Sequence, residues 1–197
     1  MLFRSYVSGR VAAVIPNQGV TIETRCALVQ GIFGIGGETW GEVALAVESP
    51  ADPCPPSNLR PDMQGKVVVC GAFLGADTLQ RARELGIAGL VVGGIHDKDL
   101  RALLGYDLGV AITGTERVGL TLLLTEGFGS IPMAKKTFDL LSRSVGCQAS
   151  LSGATQIRAG VIRPEVIIPD PDLASRDAEA SHERGALGVG DTIRIIR

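Results

Sequence analysis

The chain is 197 residues long, with a formal net charge of −2, 45% hydrophobic residues and only 4% aromatic ones; this suits one domain, or one with a small companion, and argues against disorder. No global positive field exists to attract nucleic acid or anionic lipid, and no apolar run approaches the roughly 18 to 20 residues of a membrane span. Residues 1–20 interleave Arg4, Ser5, Ser8, Gly9 and Arg10 with apolar positions, unlike a secretory signal, so a cytoplasmic location is expected.

Residues 7–15 and 20–25 read as two strands joined at Pro16-Asn17-Gln18-Gly19, since apolar runs flanking a Pro/Asn/Gly cluster signal a hairpin. A glycine cluster (Gly31, Gly34, Gly36, Gly37, Gly41) precedes a third strand at 42–47. Residues 1–47 are therefore expected to form a small β subdomain. Five of the ten prolines fall in 48–64, and Pro fixes φ and removes a donor, so this stretch reads as a connector.

Residues 65–169 alternate strand and helix patterns. Strands are expected at 66–70 and 87–92, with an Asp77-capped helix between them that carries Leu79, Ala82 and Leu85 on one side and stops at Gly86. Asp97 caps a second helix over 98–104, strands follow at 109–113 and 120–125, and a third helix opens at Ser130 and Pro132 and stops at Gly146. Residues 114–119 are too few for a helical crossover, so their flanking strands form a hairpin or are not neighbours. Further strands are expected at 147–151 and 161–168. Each amphipathic helix must bury its stripe on a sheet, which predicts a mostly parallel, Rossmann-like three-layer α/β core. Residues 170–188 are a polar linker, and 189–197 read as a fresh strand.

Cys26, Cys54, Cys70 and Cys147 contain no CxxC and have only His96 and His182 as imidazole company, so free thiols and no metal site are expected. Residues 34–41 superficially resemble a phosphate loop, but no helix opens after them and no Lys ends them. A turn or a partner-contacting loop fits better, and exposure of Trp40 would favour contact.

In open α/β sheets ligands bind where strands end, which singles out Gly93, Gly94, Thr113, Gly127, Gly129 and Ser130 as ligand-binding candidates. Asp77 and Asp97 already occupy their helix starts, so an anion would sit at 127–130, near Lys135 and Lys136. His96 beside Asp97, with Glu126 and Glu116 nearby, is the catalytic alternative. A divalent ion on Asp77, Asp97, Glu116 and Glu126 is disfavoured, since capping accounts for the aspartates. Gln156, Arg158 and Arg163 form either a polar contact strip or solvated strand positions.

Residues 31–41, 109–130 and 153–165 together resemble a bacterial family of uncharacterised proteins, over roughly residues 6–169. The resemblance implies a biotinyl- or lipoyl-like region before this segment and a KOW-type SH3-like barrel after it, with Val189-Gly190-Asp191-Thr192-Ile193-Arg194-Ile195-Ile196-Arg197 similar to the first strand of that barrel. No Lys precedes Lys66, so no carrier attachment site lies here. Residues 65–69 and 82–92 are also similar to swivelling and protease-associated binding modules.

The expected function is a non-catalytic binding or regulatory module of a larger protein, without cofactor, for a protein partner or a small anionic ligand. Nucleic acid enters only through a C-terminal barrel. The alternative is a small-molecule enzyme or sensor using His96, Asp97, Thr113, Glu126 and Ser130. Oligomeric state is left open.

Overall fold

The computed structural model describes residues 5–104, 118–156 and 161–169. Thr113, Glu116, Arg158, the strand expected at 109–113 and the calls on 170–197 lie outside those residues.

The first two strands, β1 (Arg10–Ile15) and β2 (Gly19–Glu23), form a separate antiparallel sheet. Its turn has Asn17 at φ 61°, a left-handed conformation that Asn tolerates, and Gln18 N–H closes it on the Ile15 carbonyl at 3.1 Å. The register shifts between Val11 and Ala13, leaving Ala12 as a bulge. The pairs Val11–Ile22 and Val14–Val20 consequently share one face, and the pair Ala13–Thr21 lies on the other.

The main sheet has eight strands in the order β3-β10-β9-β5-β6-β7-β8-β4: β3 (Cys26–Gln30), β4 (Phe33–Ile35), β5 (Glu38–Leu45), β6 (Val67–Val69), β7 (Gly89–Ile95), β8 (Thr121–Phe128), β9 (Gln148–Ser152) and β10 (Glu165–Pro169). Strands β5 to β8 run parallel, whereas β3, β10, β9 and β5 pair antiparallel. The two outermost strands, β3 and β4, are separated by Gly31 and Ile32 alone. Gly31 N–H bonds Pro164 O and Ile32 N–H bonds Leu124 O, both at 2.8 Å, so β3 and β4 are one bent strand that closes the sheet into a barrel. A Cβ on Gly31 would stand 2.6 Å from Leu124 O, which is why the bend carries glycine. Thr155 seals the same seam, accepting Gly34 N–H at 2.8 Å and donating to Gly34 O at 3.1 Å.

The helices are α1 (Ala76–Leu85), α2 (Asp97–Leu104) and α3 (Lys135–Arg143). Strand order never reverses from β6 to β8, so the right-handed crossovers through α1 and α2 put both helices on one face. The other face of the parallel half meets the antiparallel half: a Cβ on Gly89 would lie 2.2 Å from a methyl of Leu151. Ile35, Val43, Leu90 to Val92, Leu122 to Leu124, Leu151 and Val166 are buried in this core. Burial on both faces explains the unbroken apolar sequence of β7.

The Rossmann-like three-layer expectation is therefore corrected. Ten strands and three α-helices are present among the described residues, and the protein's own antiparallel strands cover the face that a doubly wound fold gives to helices. The sheet also runs across residue 47, since β3, β4 and β5 belong to it, and the hairpin β1–β2 alone stands apart. Among the described residues no helix is long and apolar enough to cross a membrane.

Candidate functional site

The carboxyl ends of the parallel strands are filled by backbone. After β8 the chain crosses back over them: Gly129 N–H bonds Ile95 O at 2.8 Å, Ile131 N–H bonds Ala72 O at 3.2 Å and Met133 N–H bonds Pro50 O at 3.1 Å. A Cβ on Gly93 would sit 2.1 Å from Ile131 O and one on Gly94 2.2 Å from Gly129 O, so these glycines serve chain packing. The same extended crossing uses the N–H groups of Ile131 and Met133, and Glu126 takes that of Ala134, which is why α3 begins at Lys135 and not at Ser130 or Pro132.

The other strand-end candidates have separate tasks. Glu126 Oε1 accepts the Ala134 N–H at 2.8 Å and so places a carboxylate at the start of α3, the position at which an anion would have bound. Asp97 pairs with Arg101 at 2.5 Å one helical turn on. His96 is exposed and stacks on Phe73, ring centres 4.7 Å apart. Gly127 and Gly129 hold φ of 143° and 119° in the crossing, and Ser130 faces solvent. Asp77 lies in the first turn of α1 behind an N-cap at Gly75, its Oδ1 accepting Thr78 N–H at 2.8 Å. No described pair among His96, Asp97 and Glu126 shares a hydrogen bond.

A depression of about 560 Å³ beside the connector is lined by Val47, Glu48, Asp52, Asn58 and Arg60. Three of these polar groups are already engaged: Asp52 Oδ2 accepts Ser49 N–H, Asn58 Nδ2 donates to Ala46 O, and Arg60 pairs with Asp62.

The more developed site lies on the outer face of the antiparallel half. Cross-strand pairing sets two rows there, Glu38, Ser152, Glu165 and Gln30, then Trp40, Ser150, Ile167 and Leu28, beyond which the pairs Glu42–Gln148 and Pro169–Cys26 continue the face. Residues 5–9 lie over these rows, and Ser150 Oγ donates to Tyr6 O at 2.7 Å. A groove of about 510 Å³ runs between this segment and the sheet, lined among others by Tyr6, Gly9, Ile22, Trp40, Gln148 and Pro169. Trp40 is 59% exposed although apolar. Through Ile22 the groove continues onto the hairpin face that carries Val11, Val14 and Val20, which are 53%, 69% and 53% exposed.

The floor under Tyr6 is acidic. Burial, followed by repulsion from Glu38, holds the Glu165 carboxyl above its ordinary range. The Tyr6 phenol is raised by burial, then by Glu165 and Glu38. Its hydroxyl is cut off from solvent near Ser152 without a well-formed hydrogen bond. Lys66 neutralises Glu42 at 2.8 Å.

Gln156 and Arg163 are exposed; Gln156 exchanges two backbone bonds with Ile162 in an isolated bridge, and Arg163 follows that bridge in a solvated position. The glycine run 34–41 is the turn from β4 to β5, made by Gly36 and Gly37 at φ 100° and 76°. The four cysteines are unpaired: Cys26 is exposed, Cys147 half-buried, and Cys54 and Cys70 are buried, with contact from Cys54 and burial raising the Cys70 thiol. No cluster of three or more metal-ligating side chains occurs among the described residues.

Sequence reasoning flagged Trp40 but missed Tyr6, Glu38, Ser150, Ser152 and Glu165. The available signal was Gln148, Ser150 and Ser152, polar at every second position of an otherwise apolar strand. Compared with protein-family models, curated proteins and solved structures, the chain finds no match.

Proposed function

We propose that this chain is a non-catalytic binding module that takes an extended, apolar polypeptide segment on the surface formed by the hairpin and the Trp40 groove. The observation that carries this reading is the apolar face of Val11, Val14, Val20 and Ile22, continuous with an exposed indole. Contiguous apolar surface of this kind is costly in water and marks contact sites. A two-stranded ribbon is also marginal alone, so it gains stability from cover. The dispersal of His96, Asp97 and Glu126 into stacking, ion pairing and capping supports a module over an enzyme.

Selection of random extended peptides on the immobilised chain tests this. Binders rich in alternating β-branched residues are expected, with affinity lost in Val20→Asp and Trp40→Ala. Binders indifferent to both substitutions, or no binders, sink the reading.

A further inference from the structure

We propose that residues 5–9 are a strap over the Trp40 groove, closed while Glu165 is protonated and lifted when Glu165 ionises. The proposal rests on the binding reading above and assigns that site its regulation.

The walls around the acidic floor are unequal. Glu38 and Glu165 both pair with Ser152, one from β5 and one from β10, so their carboxyls stand on one face at either side of the same serine. Both strands are laddered to β9 through several successive residues. The strap, by contrast, is tied to the sheet by one side-chain hydrogen bond among the described residues, from Ser150 Oγ to Tyr6 O at 2.7 Å. Ser5 Oγ donates to Val7 O inside the strap itself. The strap is therefore the wall that yields first.

Its closed position leaves two groups poorly solvated. The Tyr6 hydroxyl is sealed from solvent without a well-formed bond, and Glu165 is half-buried near it. Among the described residues no Lys or Arg pairs with Glu38 or Glu165, and Lys66 is taken by Glu42 at 2.8 Å. A protonated Glu165 tolerates this enclosure. An ionised one needs water or a counter-charge, because an unpaired buried charge is costly. Lifting the strap brings water to Glu165 and to the Tyr6 hydroxyl together.

The groups facing Glu165 offer no counter-charge. The strap brings Tyr6, β5 brings Glu38, β9 brings Ser152, and β3 brings Gln30 directly opposite and the Cys26 thiol at its far end. Each of these is neutral or negative. Burial, then Glu38, holds the Glu165 carboxyl above its ordinary range in the closed form, whereas in water it returns toward about 4. The closed strap thus holds the proton more tightly, so raising the pH through this interval moves the population to the open form. Ser5, Tyr6, Val7, Ser8 and Gly9 all line the groove, and lifting them uncovers Trp40 and Ser150 for an extended segment.

Trp40 is the only tryptophan, so its fluorescence reads the groove. Acrylamide quenching of the full chain is followed from about pH 4 to about pH 7.5, with far-UV circular dichroism checking that the fold persists. Trp40 is 59% exposed under the closed strap, so its quenching constant is expected to rise by about half as the strap lifts. Glu165→Gln is expected to stay at the low value throughout, and Ser150→Ala, which cuts the tie, to show the high value even at acid pH. A flat wild-type profile overturns the proposal, as does a Glu165→Gln chain that rises like wild type or a Ser150→Ala chain as shielded as wild type at acid pH. Peptide selection judges the binding reading separately. Selected peptides that bind equally well at both ends of the pH range leave that reading standing and overturn the strap alone. A pH-gated Trp40 in a chain that binds no peptide keeps the strap and removes the binding reading.

Discussion

Val11 and Val14 stand three positions apart in one strand yet project from the same face, because the bulge at Ala12 absorbs one step of the alternation. Removing Ala12 is therefore expected to leave a regular ladder with both valines still on the binding face, and peptide affinity is expected to persist. Val14→Asp should abolish binding instead, while shifting the barrel's Tm by no more than about 2 °C, since every residue of β1 is exposed. Parallel binding and thermal-melt measurements check both outcomes.

Gly93→Ala and Gly94→Ala each drive a methyl into a backbone carbonyl that is itself hydrogen-bonded or held in the crossing. A loss of about 2 to 4 kcal/mol is expected for each, since neither side can yield without moving the 129–133 crossing. Urea denaturation measures it. A shift below about 0.5 kcal/mol would mean that the strand ends are open, and the small-molecule crevice would be back in contention.

Glu126→Ala removes the carboxylate from the start of α3 and should cost about 1 kcal/mol, the usual value of a cap. If Glu126 were instead held for catalysis, the substitution would leave stability unchanged or raise it.

Stability should fall as pH rises above the ordinary Glu range of about 4, through the raised titration of Glu165. The native state holds that proton more tightly than the unfolded chain does, so its contribution is present at low pH and disappears on ionisation. Glu165→Gln should flatten this slope and stabilise the protein at neutral pH, as read from urea midpoints between pH 4 and 7. Tyr6→Phe removes a buried hydroxyl without a well-formed bond and should be neutral or stabilising by up to about 1 kcal/mol.

The hairpin, its turn and the three helices were legible because periodicity and punctuation act locally. Val11-Ala12-Ala13-Val14-Ile15 shows no alternation, however, so the bulge that assigns its faces was not. Strand neighbours escaped for a different reason: β10 finds β3 across more than 130 residues, and local pattern specifies which faces are buried without specifying against what. The strand-end glycines misled because close backbone approach and phosphate binding make the same demand, a missing side chain. Asp97 was correctly placed at a helix start, whereas Glu126 caps a helix from eight positions upstream, beyond any local motif. Trp40 stood out by rarity; Tyr6 had no sequence signal, since only the fold brings it over Ser152.

The thiols offer an independent check on packing. Cys26 should react first with a soluble disulfide reagent, Cys147 more slowly, and Cys54 and Cys70 only on unfolding, because thiolate formation needs exposure. Fast labelling of four thiols in native conditions would contradict the core around β6.

The seam at Gly31 and Ile32 also governs how the protein comes apart. Because β3 holds β10 and β4 holds β8 on either side of this bend, separating the two halves of the sheet here requires the contacts of Gly31, Ile32 and Thr155 to give way together. Amides of β5 to β8 should then exchange with solvent through one concerted, whole-barrel event, while those of the hairpin exchange almost freely. One polypeptide thus carries a freely exchanging hairpin strand and a strand of the main sheet, β3, within a few residues of each other, joined at Thr24 and Arg25.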